Sequence, residues 1–230
     1  MTGGFDITRR QLMQTSLAFA GLTMAAPLAL ALAADENKWS LTETTPGTVL
    51  GPFYPLVNQQ MDPGSDLTVI KGAAGRAQGQ LIYLMGQVLD IKGKPIKDVK
   101  VEIWQTNAAG RYNHPSDPNP APLDPNFVGY GVSVTDSEGR YRFKTIKPGA
   151  YPVTQGWDRP PHVHYQLTGR VDRHVTQMWF AGDPLNAQDR LLARLSPAAQ
   201  AMLTGKIEAP RGDMEPNAKI AVFNVVLTNG

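Results

Sequence analysis

The chain has 230 residues, of which 42% are apolar and 18% charged, with 22 glycines, 19 prolines and a net charge of +2; this length suits one well-buried domain with trimmings, and the glycine and proline content suits a loop-rich β protein. A near-neutral balance, without a basic run to track phosphates or an acidic tail, argues against a nucleic-acid partner. With no cysteine in the chain, thiolate zinc sites, thiol nucleophiles and disulfides are excluded, so any metal must be held by His, Asp, Glu or Tyr.

At the N-terminus, TRRQLMQ places Arg9 and Arg10 just before a run from Gln11 to Ala34 that carries no charge and closes on Ala31, Leu32 and Ala33. The pattern is similar to a twin-arginine export signal cleaved near Ala33 or Ala34. Residues 1–33 are therefore expected to be removed, leaving an exported protein, periplasmic or extracellular, with its net charge lowered from +2 to +1. Gly21, Thr23 and Pro27 dilute the run, which speaks against an ordinary secretory signal; the same dilution and the small-residue exit favour cleavage over a retained anchor, although a membrane span needs only roughly 20 apolar residues. Export of already folded protein suits a cofactor loaded in the cytoplasm.

Residues 34–79 are rich in Pro, Gly and Thr without a sustained period, and read as an extended N-terminal arm with a short ordered piece at TPGTVLGPFYP. The two prolines of GPFYP stiffen the backbone around Phe53 and Tyr54. Tyr54 either lines a pocket mouth with its phenol or helps pack an aromatic pair onto a sheet.

From residue 80 to 230 the chain reads as one domain with no internal repeat. LIYLMGQVLD (81–90) and VKVEIWQT (99–106) are separated by turn chemistry at Gly93 and Pro95, which predicts a hairpin. Further strand-like runs follow at GYGVSVTD, RYRFKTI, HVHYQLTG, VTQMWFAG and KIAVFNVVL. Seven such runs predict a mainly β fold, an antiparallel β-sandwich or barrel with long loops. Only residues 186–203 carry apolar residues at helical spacing, and Pro197 is expected to split that short helical segment. Residues 107–128 form a proline-rich loop of a length that is usually functional or disordered.

Of the four histidines, His162 and His164 stand at i and i+2 in an apolar, β-prone run, so their side chains share one face of a strand. Such a pair either holds a metal or lies on a solvated strand face. His114, in the long loop, and His174, in the polar stretch GRVDRHV, read as ordinary polar residues. No Asp or Glu falls in the strand of the pair, so the two-histidine, one-carboxylate pattern of ferrous sites lacks a local third member. Tyrosines are near instead: Tyr112, Tyr130, Tyr141, Tyr151 and Tyr165. A phenolate is a hard anionic ligand suited to Fe(III), which in turn pulls the phenol's pKa far below its ordinary value of about 10.

The strings GRYNHPSDPNPAPLDPNFVGYG, TDSEGRYRFKTIKPGAYP and RPPHVHYQLTG, with TPGTVLGPFYP ahead and TQMWFAGDP behind, resemble in order and spacing the intradiol ring-cleavage dioxygenases, most nearly their protocatechuate-cleaving branch. The resemblance runs from about Thr45 to the C-terminal strand. It implies a β-sandwich, and ferric iron held by Tyr112, Tyr151, His162 and His164, with Tyr151 as the labile axial phenolate that doubles as a base. It further implies that Arg159 stabilises carbanionic character on the substrate ring and that Gln177 lines the pocket; on the pocket-mouth reading of GPFYP, Tyr54 is a further candidate substrate contact. The implied activity is cleavage of a catechol between its two hydroxyl-bearing carbons with O2, giving a cis,cis-muconate. A homo-oligomer, or assembly with a second, related subunit, is implied as well.

The chain departs from the family pattern around Trp157, Asp158 and Arg159, which bears on the ring substituent accepted. It also lacks the long helical segment that precedes the sandwich in the catechol-cleaving branch. Two alternatives follow: an exported enzyme for hydroxyquinol or another substituted catechol, and a transthyretin-like binding module whose metal site is vestigial.

Overall fold

The computed structural model describes residues 43–56 and 64–228. The expected export signal at 1–33, and the parts of the arm at 34–42 and 57–63, lie outside the described residues. Eleven strands are present among the described residues: β1 Leu81–Asp90, β2 Lys100–Trp104, β3 Tyr130–Val134, β4 Arg140–Ile146, β5 Tyr151–Thr154, β6 Trp157–Arg159, β7 His162–Thr168, β8 Arg173–Phe180, β9 Thr204–Glu208, β10 Lys219–Val222 and β11 Val225–Leu227. All but β5 and β6 form a nine-stranded, nearly closed sheet in the order β11-β1-β10-β9-β8-β7-β2-β3, with β4 on the other side of β1. The mainly β expectation holds.

Several pairings depart from the simplest antiparallel reading. β1 runs parallel to both β10 and β11, and β8 runs parallel to β9. The run KIAVFNVVL breaks at Phe223 and Asn224 because β1 serves it twice: Phe223 donates to the Met85 carbonyl, and the Asn224 side chain accepts from Gln87 N at 2.9 Å. The hairpin expected between 81–90 and 99–106 does not form. The turn at Gly93 folds back only as far as Ile96, which donates to the Val88 carbonyl; the chain then crosses, and β2 pairs with β3 and β7 while β1 takes β4. Three strands carried no clear period in the sequence: β5 and β6, interrupted by Pro152 and Gly156, and β9, which has a single large apolar residue, Ile207.

The expected helical stretch is present in pieces. Two 3-10 turns, Pro184–Gln188 and Leu192–Arg194, precede helix α1, Pro197–Met202. Pro197 starts α1 rather than interrupting it, since its fixed φ and missing N–H suit the first helical turn; Ser196 caps that end, accepting from Ala199 N.

The alternation of side chains along β7 organises the rest. Val163, Tyr165 and Leu167 point into the main apolar core with Ile103, Phe143 and Phe223, while His162, His164 and Gln166 share the opposite face and are also buried. Register then fixes their neighbours: His162 stands opposite Trp179, His164 opposite Gln177 on β8 and Trp104 on β2, and Gln166 opposite Glu102. The ordered piece of the arm crosses this face. Thr45 pairs with Val226, Thr48 N donates to the Val175 carbonyl at 3.0 Å, and Gln177 Nε2 donates to the Val49 carbonyl at 2.8 Å. Leu50, Phe53 and Tyr54 are thereby laid against Trp104 and Tyr112.

Candidate metal centre

Three unrelated segments bring four donor groups to one place. β7 supplies His162 and His164, whose Nε2 atoms stand 3.2 Å apart. The long loop supplies Tyr112, whose hydroxyl lies 3.5 Å from His162 Nε2. The start of β5 supplies Tyr151, with its ring edge-on to Tyr112 at a centroid distance of 5.5 Å and 5.6 Å from the His162 ring.

The loop that carries Tyr112 is held by local side-chain bonds. Asn107 accepts from Ala109 N and Arg111 N, Asp117 accepts from Tyr112 N at 2.7 Å and from Asn119 N, and Arg111 reaches the Ala121 carbonyl at 2.7 Å. These are the Asn and Asp turns that such a composition favours. Glycine brings the loop against the approach to β5: a Cβ on Gly110, which sits at φ +81°, would lie 2.1 Å from the Ala150 carbonyl oxygen, and one on Gly149 would lie 2.5 Å from that of Ala108. The close approach of the two backbones places Tyr112 beside Tyr151.

Each histidine is fixed by its own surroundings. The Pro160 carbonyl, 2.7 Å from His162 Nδ1, can only accept, so the proton sits on Nδ1 and Nε2 presents a lone pair. His164 stacks on Trp104 at 4.9 Å with 12° between the planes. Its other side is approached by the arm at Gly51, where a Cβ would come within 3.0 Å of His164 Cε1. Among the described residues its Nδ1 has no hydrogen-bond partner.

The electrostatics follow from burial. Desolvation pushes the Tyr112 phenol well above its ordinary range and raises that of Tyr151, where the Arg159 charge and a hydrogen bond with Tyr112 draw it partly back. Desolvation, then the Arg159 charge, holds His162 well below its usual value and brings His164 down to about 3. Protein alone thus keeps all four groups neutral, with nitrogen and oxygen lone pairs crowded together. Among the described residues no three His, Asp or Glu side chains converge, so the donor set is two imidazoles and two phenols. That set fits a hard, highly charged cation such as Fe(III), which would reverse the rise on the phenols.

Arg159, 4% exposed, adjoins the cluster. Its Nη1 lies 3.1 Å from His162 Nε2, and its Nη2 donates to Gln177 Oε1 and to Asp189 Oδ2, both at 3.0 Å. Its acidic partner is Asp189, not the adjacent and exposed Asp158. Of the sequence-predicted residues, Tyr112, Tyr151, Arg159, His162, His164 and Gln177 stand together. Tyr54 is adjacent, but its hydroxyl donates to Glu102 Oε1 at 3.1 Å and its ring packs edge-on against Trp104. His114, which accepts from Ser116 N, and His174, on β8 opposite Leu167, lie outside the four-donor cluster. Asp189, Trp104, Trp179 and Glu102 were not singled out from sequence. The two tryptophans become visible only when the register of β2 and β8 against β7 is known, and the acids sit in runs whose spacing says nothing of their partners.

The family model described as Dioxygenase matches residues 51–229. The chain is 46% identical over 167 residues to the protocatechuate 3,4-dioxygenase beta chain of Burkholderia cepacia, covering 70% of this chain and 70% of that protein. It is 28% identical over 245 residues to a catechol 1,2-dioxygenase of Pseudomonas sp., covering 95% of this chain and 74% of that one. In fold it is similar to the dioxygenase domain of a dioxygenase carbohydrate-binding protein fusion from Streptomyces sp. SirexAA-E, with a TM-score of 0.59 and 24% identity over 82% of this chain and 100% of that domain.

Proposed function

This chain belongs to the dioxygenase family, among its intradiol ring-cleaving enzymes, and from that premise we propose that it uses non-haem Fe(III) to open a protocatechuate-like catechol between its two hydroxyl-bearing carbons. The observation that carries the reading is the convergence of Tyr112, Tyr151, His162 and His164, with the two imidazole Nε2 atoms 3.2 Å apart. These four residues would hold the iron. Bound there, it would supply a Lewis acid that lowers the pKa of both catechol hydroxyls, so that the substrate is held as a catecholate.

The chain's own residues do the rest. Two phenolates and two neutral imidazoles carry a charge of −2 and Arg159 is balanced by Asp189, so a trivalent cation with one hydroxide leaves no net charge buried. Tyr112 is buried and fixed by its loop, whereas Tyr151 is half-buried at the start of a hairpin that lies outside the nine-stranded sheet. Tyr151 is therefore the phenol free to move, and its oxygen is placed to accept a substrate proton. The Pro160 carbonyl keeps His162 in one tautomer, and Trp104 and Gly51 confine the His164 ring. Arg159 presents Nη1 at the edge of the site, where a guanidinium stabilises negative charge developing on a bound ring. Gln177, tied to the arm through Val49 and to Arg159, sets the distance between them.

The protocatechuate preference is supported by the 46% identity to the Burkholderia cepacia chain; hydroxyquinol and other substituted catechols are the alternatives. Iron-loaded protein should show about one iron per chain and a visible tyrosinate charge-transfer band. Mass spectrometry after incubation with protocatechuate, catechol and hydroxyquinol should find a cis,cis-muconate carrying both atoms of O2. A colourless, inactive protein after iron reconstitution, or a semialdehyde product, defeats the proposal. Export is proposed from Arg9 and Arg10 and the uncharged run behind them, and cell fractionation of an Arg9→Lys, Arg10→Lys variant tests it. Assembly with a like or related subunit is proposed from the beta-chain likeness, and native mass spectrometry tests that.

A further inference from the structure

The geometry points to Asp189 as a positioning residue that acts through Arg159, an inference that rests on the function proposed above. Asp189 is a fully buried carboxylate, 0% exposed, in the turn between the two 3-10 segments. Its place is set by that turn: Oδ1 accepts from Leu191 N at 2.9 Å, its carbonyl accepts from Ala193 N at 2.9 Å, and its own N–H reaches the Asn186 carbonyl at 3.3 Å. Oδ2 accepts from Trp179 Nε1 at 2.7 Å and from Arg159 Nη2 at 3.0 Å.

Consider the donors of the guanidinium. Both hydrogens of Nη2 are taken, one by Asp189 Oδ2 and one by Gln177 Oε1. Nη1 faces His162 Nε2, and among the described residues the buried Nε has no partner. Once a cation takes the His162 lone pair, Nη1 and Nε are the donors left for a substrate. Asp189 has two effects on them. It balances the charge of a buried Arg, and it pins the one nitrogen that contacts neither ligand nor substrate, fixing the plane and reach of the others. The neighbouring residue holds the same hairpin, since the Arg190 guanidinium lies over the Trp157 ring at 5.1 Å. The turn at 189–190 thus grips β6, and β6 carries Arg159.

The test is a double-mutant cycle on the iron-loaded full chain: Asp189→Asn, Arg159→Gln and the pair. Asp189→Asn should lower kcat about 10- to 100-fold, the scale of a misplaced catalytic contact, with iron content and the charge-transfer band unchanged. It should also weaken a non-cleaved monophenol ligand, read from the shift of that band. The pair should be no worse than Arg159→Gln alone, because Asp189 has nothing left to position. Asp189→Asn within twofold of wild type in kcat and in monophenol binding, or losses that simply multiply in the pair, overturns the inference. Should Asp189→Asn not fold, Asp189→Ser carries the same comparison; if neither folds, the role is structural and the inference falls. Wild-type protein that binds iron and the monophenol but cleaves no catechol defeats the proposed function instead, and the cycle is still read in monophenol binding.

Discussion

Replacing Glu102 by Gln should destabilise the protein by about 2–4 kcal/mol, and the figure can be worked from its contacts. Glu102 is 2% exposed behind the site, two residues before Trp104 on the same face of β2. Oε1 accepts from Tyr130 at 2.6 Å and Tyr54 at 3.1 Å, Oε2 accepts from Gln166 Nε2 at 2.8 Å, and Lys100 Nζ stands 3.1 Å away. A glutamine keeps one oxygen for the two phenols but turns an NH2 towards the Gln166 NH2. Gln166 cannot rotate its own oxygen inward without abandoning Arg173, whose Nε it binds at 3.0 Å. One buried N–H is left unpaired, at a cost of about 1–3 kcal/mol, and the two phenol bonds fall from charge-assisted to neutral, about 1 kcal/mol each. The Lys100 side chain is 49% exposed, so losing that pair adds only about 0–1 kcal/mol. Relief from burying a charge offsets part of the total. In urea, the midpoint of the iron-free chain should fall at unchanged slope, and the melting temperature should drop by about 5–15 °C for a domain of this size. A loss below about 0.5 kcal/mol would refute the view that this carboxylate ties the arm to the back of the site.

The same residue predicts an acid response. Although burial raises the Glu102 carboxyl, hydrogen bonds from Tyr130, Gln166 and Lys100 to its ionised form outweigh it and hold the group below its ordinary 4.5. The unfolded chain therefore takes up this proton first, and the stabilisation is full above about pH 5 and lost as pH falls through the folded-state value; urea titrations of wild type and Glu102→Gln should converge at acid pH. Gly110→Ala should cost about 1–2 kcal/mol from its positive φ, and more as its Cβ forces the Ala150 backbone away, with iron stoichiometry falling too. Gly156→Ala, at φ +74° with nothing within 4 Å of the added Cβ, should show the strain alone. Tyr112→Phe and Tyr151→Phe should each weaken iron binding at least about tenfold while changing iron-free stability by less than about 1 kcal/mol, measured by competitive chelation and by melting.

What could be read in the sequence divides along physical lines. The HVH spacing placed two imidazoles on one face because strand parity is a local rule, and β7 obeys it. The strands with regular alternation were visible; β5, β6 and β9 were not, since a proline, a glycine or a single isoleucine leaves no period to detect. The false hairpin at Gly93 shows why pairing is harder to read than strands: the turn chemistry was real, but the reward for β2 lay across the fold, beside β7. Tyr112 came from resemblance, because nothing local in a 107–128 loop says where its tyrosine will point. Asp189 had no local signal at all, since its partners Arg159 and Trp179 are 30 and 10 residues away.

The pairing of Thr45 with Val226 bears on when the site can exist. Thr45 N donates to the Val226 carbonyl at 2.9 Å and its hydroxyl accepts from Val226 N at 2.8 Å, a contact spanning 181 residues. The arm that carries Gly51 and Tyr54 onto the site is thus anchored on β11, far along the chain. Contacts of such sequence separation form late, because loop-closure entropy must be met before they stabilise anything. Thr45 cannot pin the arm over His164 until β11 is in place. Docking of the arm over His164 is therefore a late step of folding, and the imidazole pair lies most open to a metal before that step.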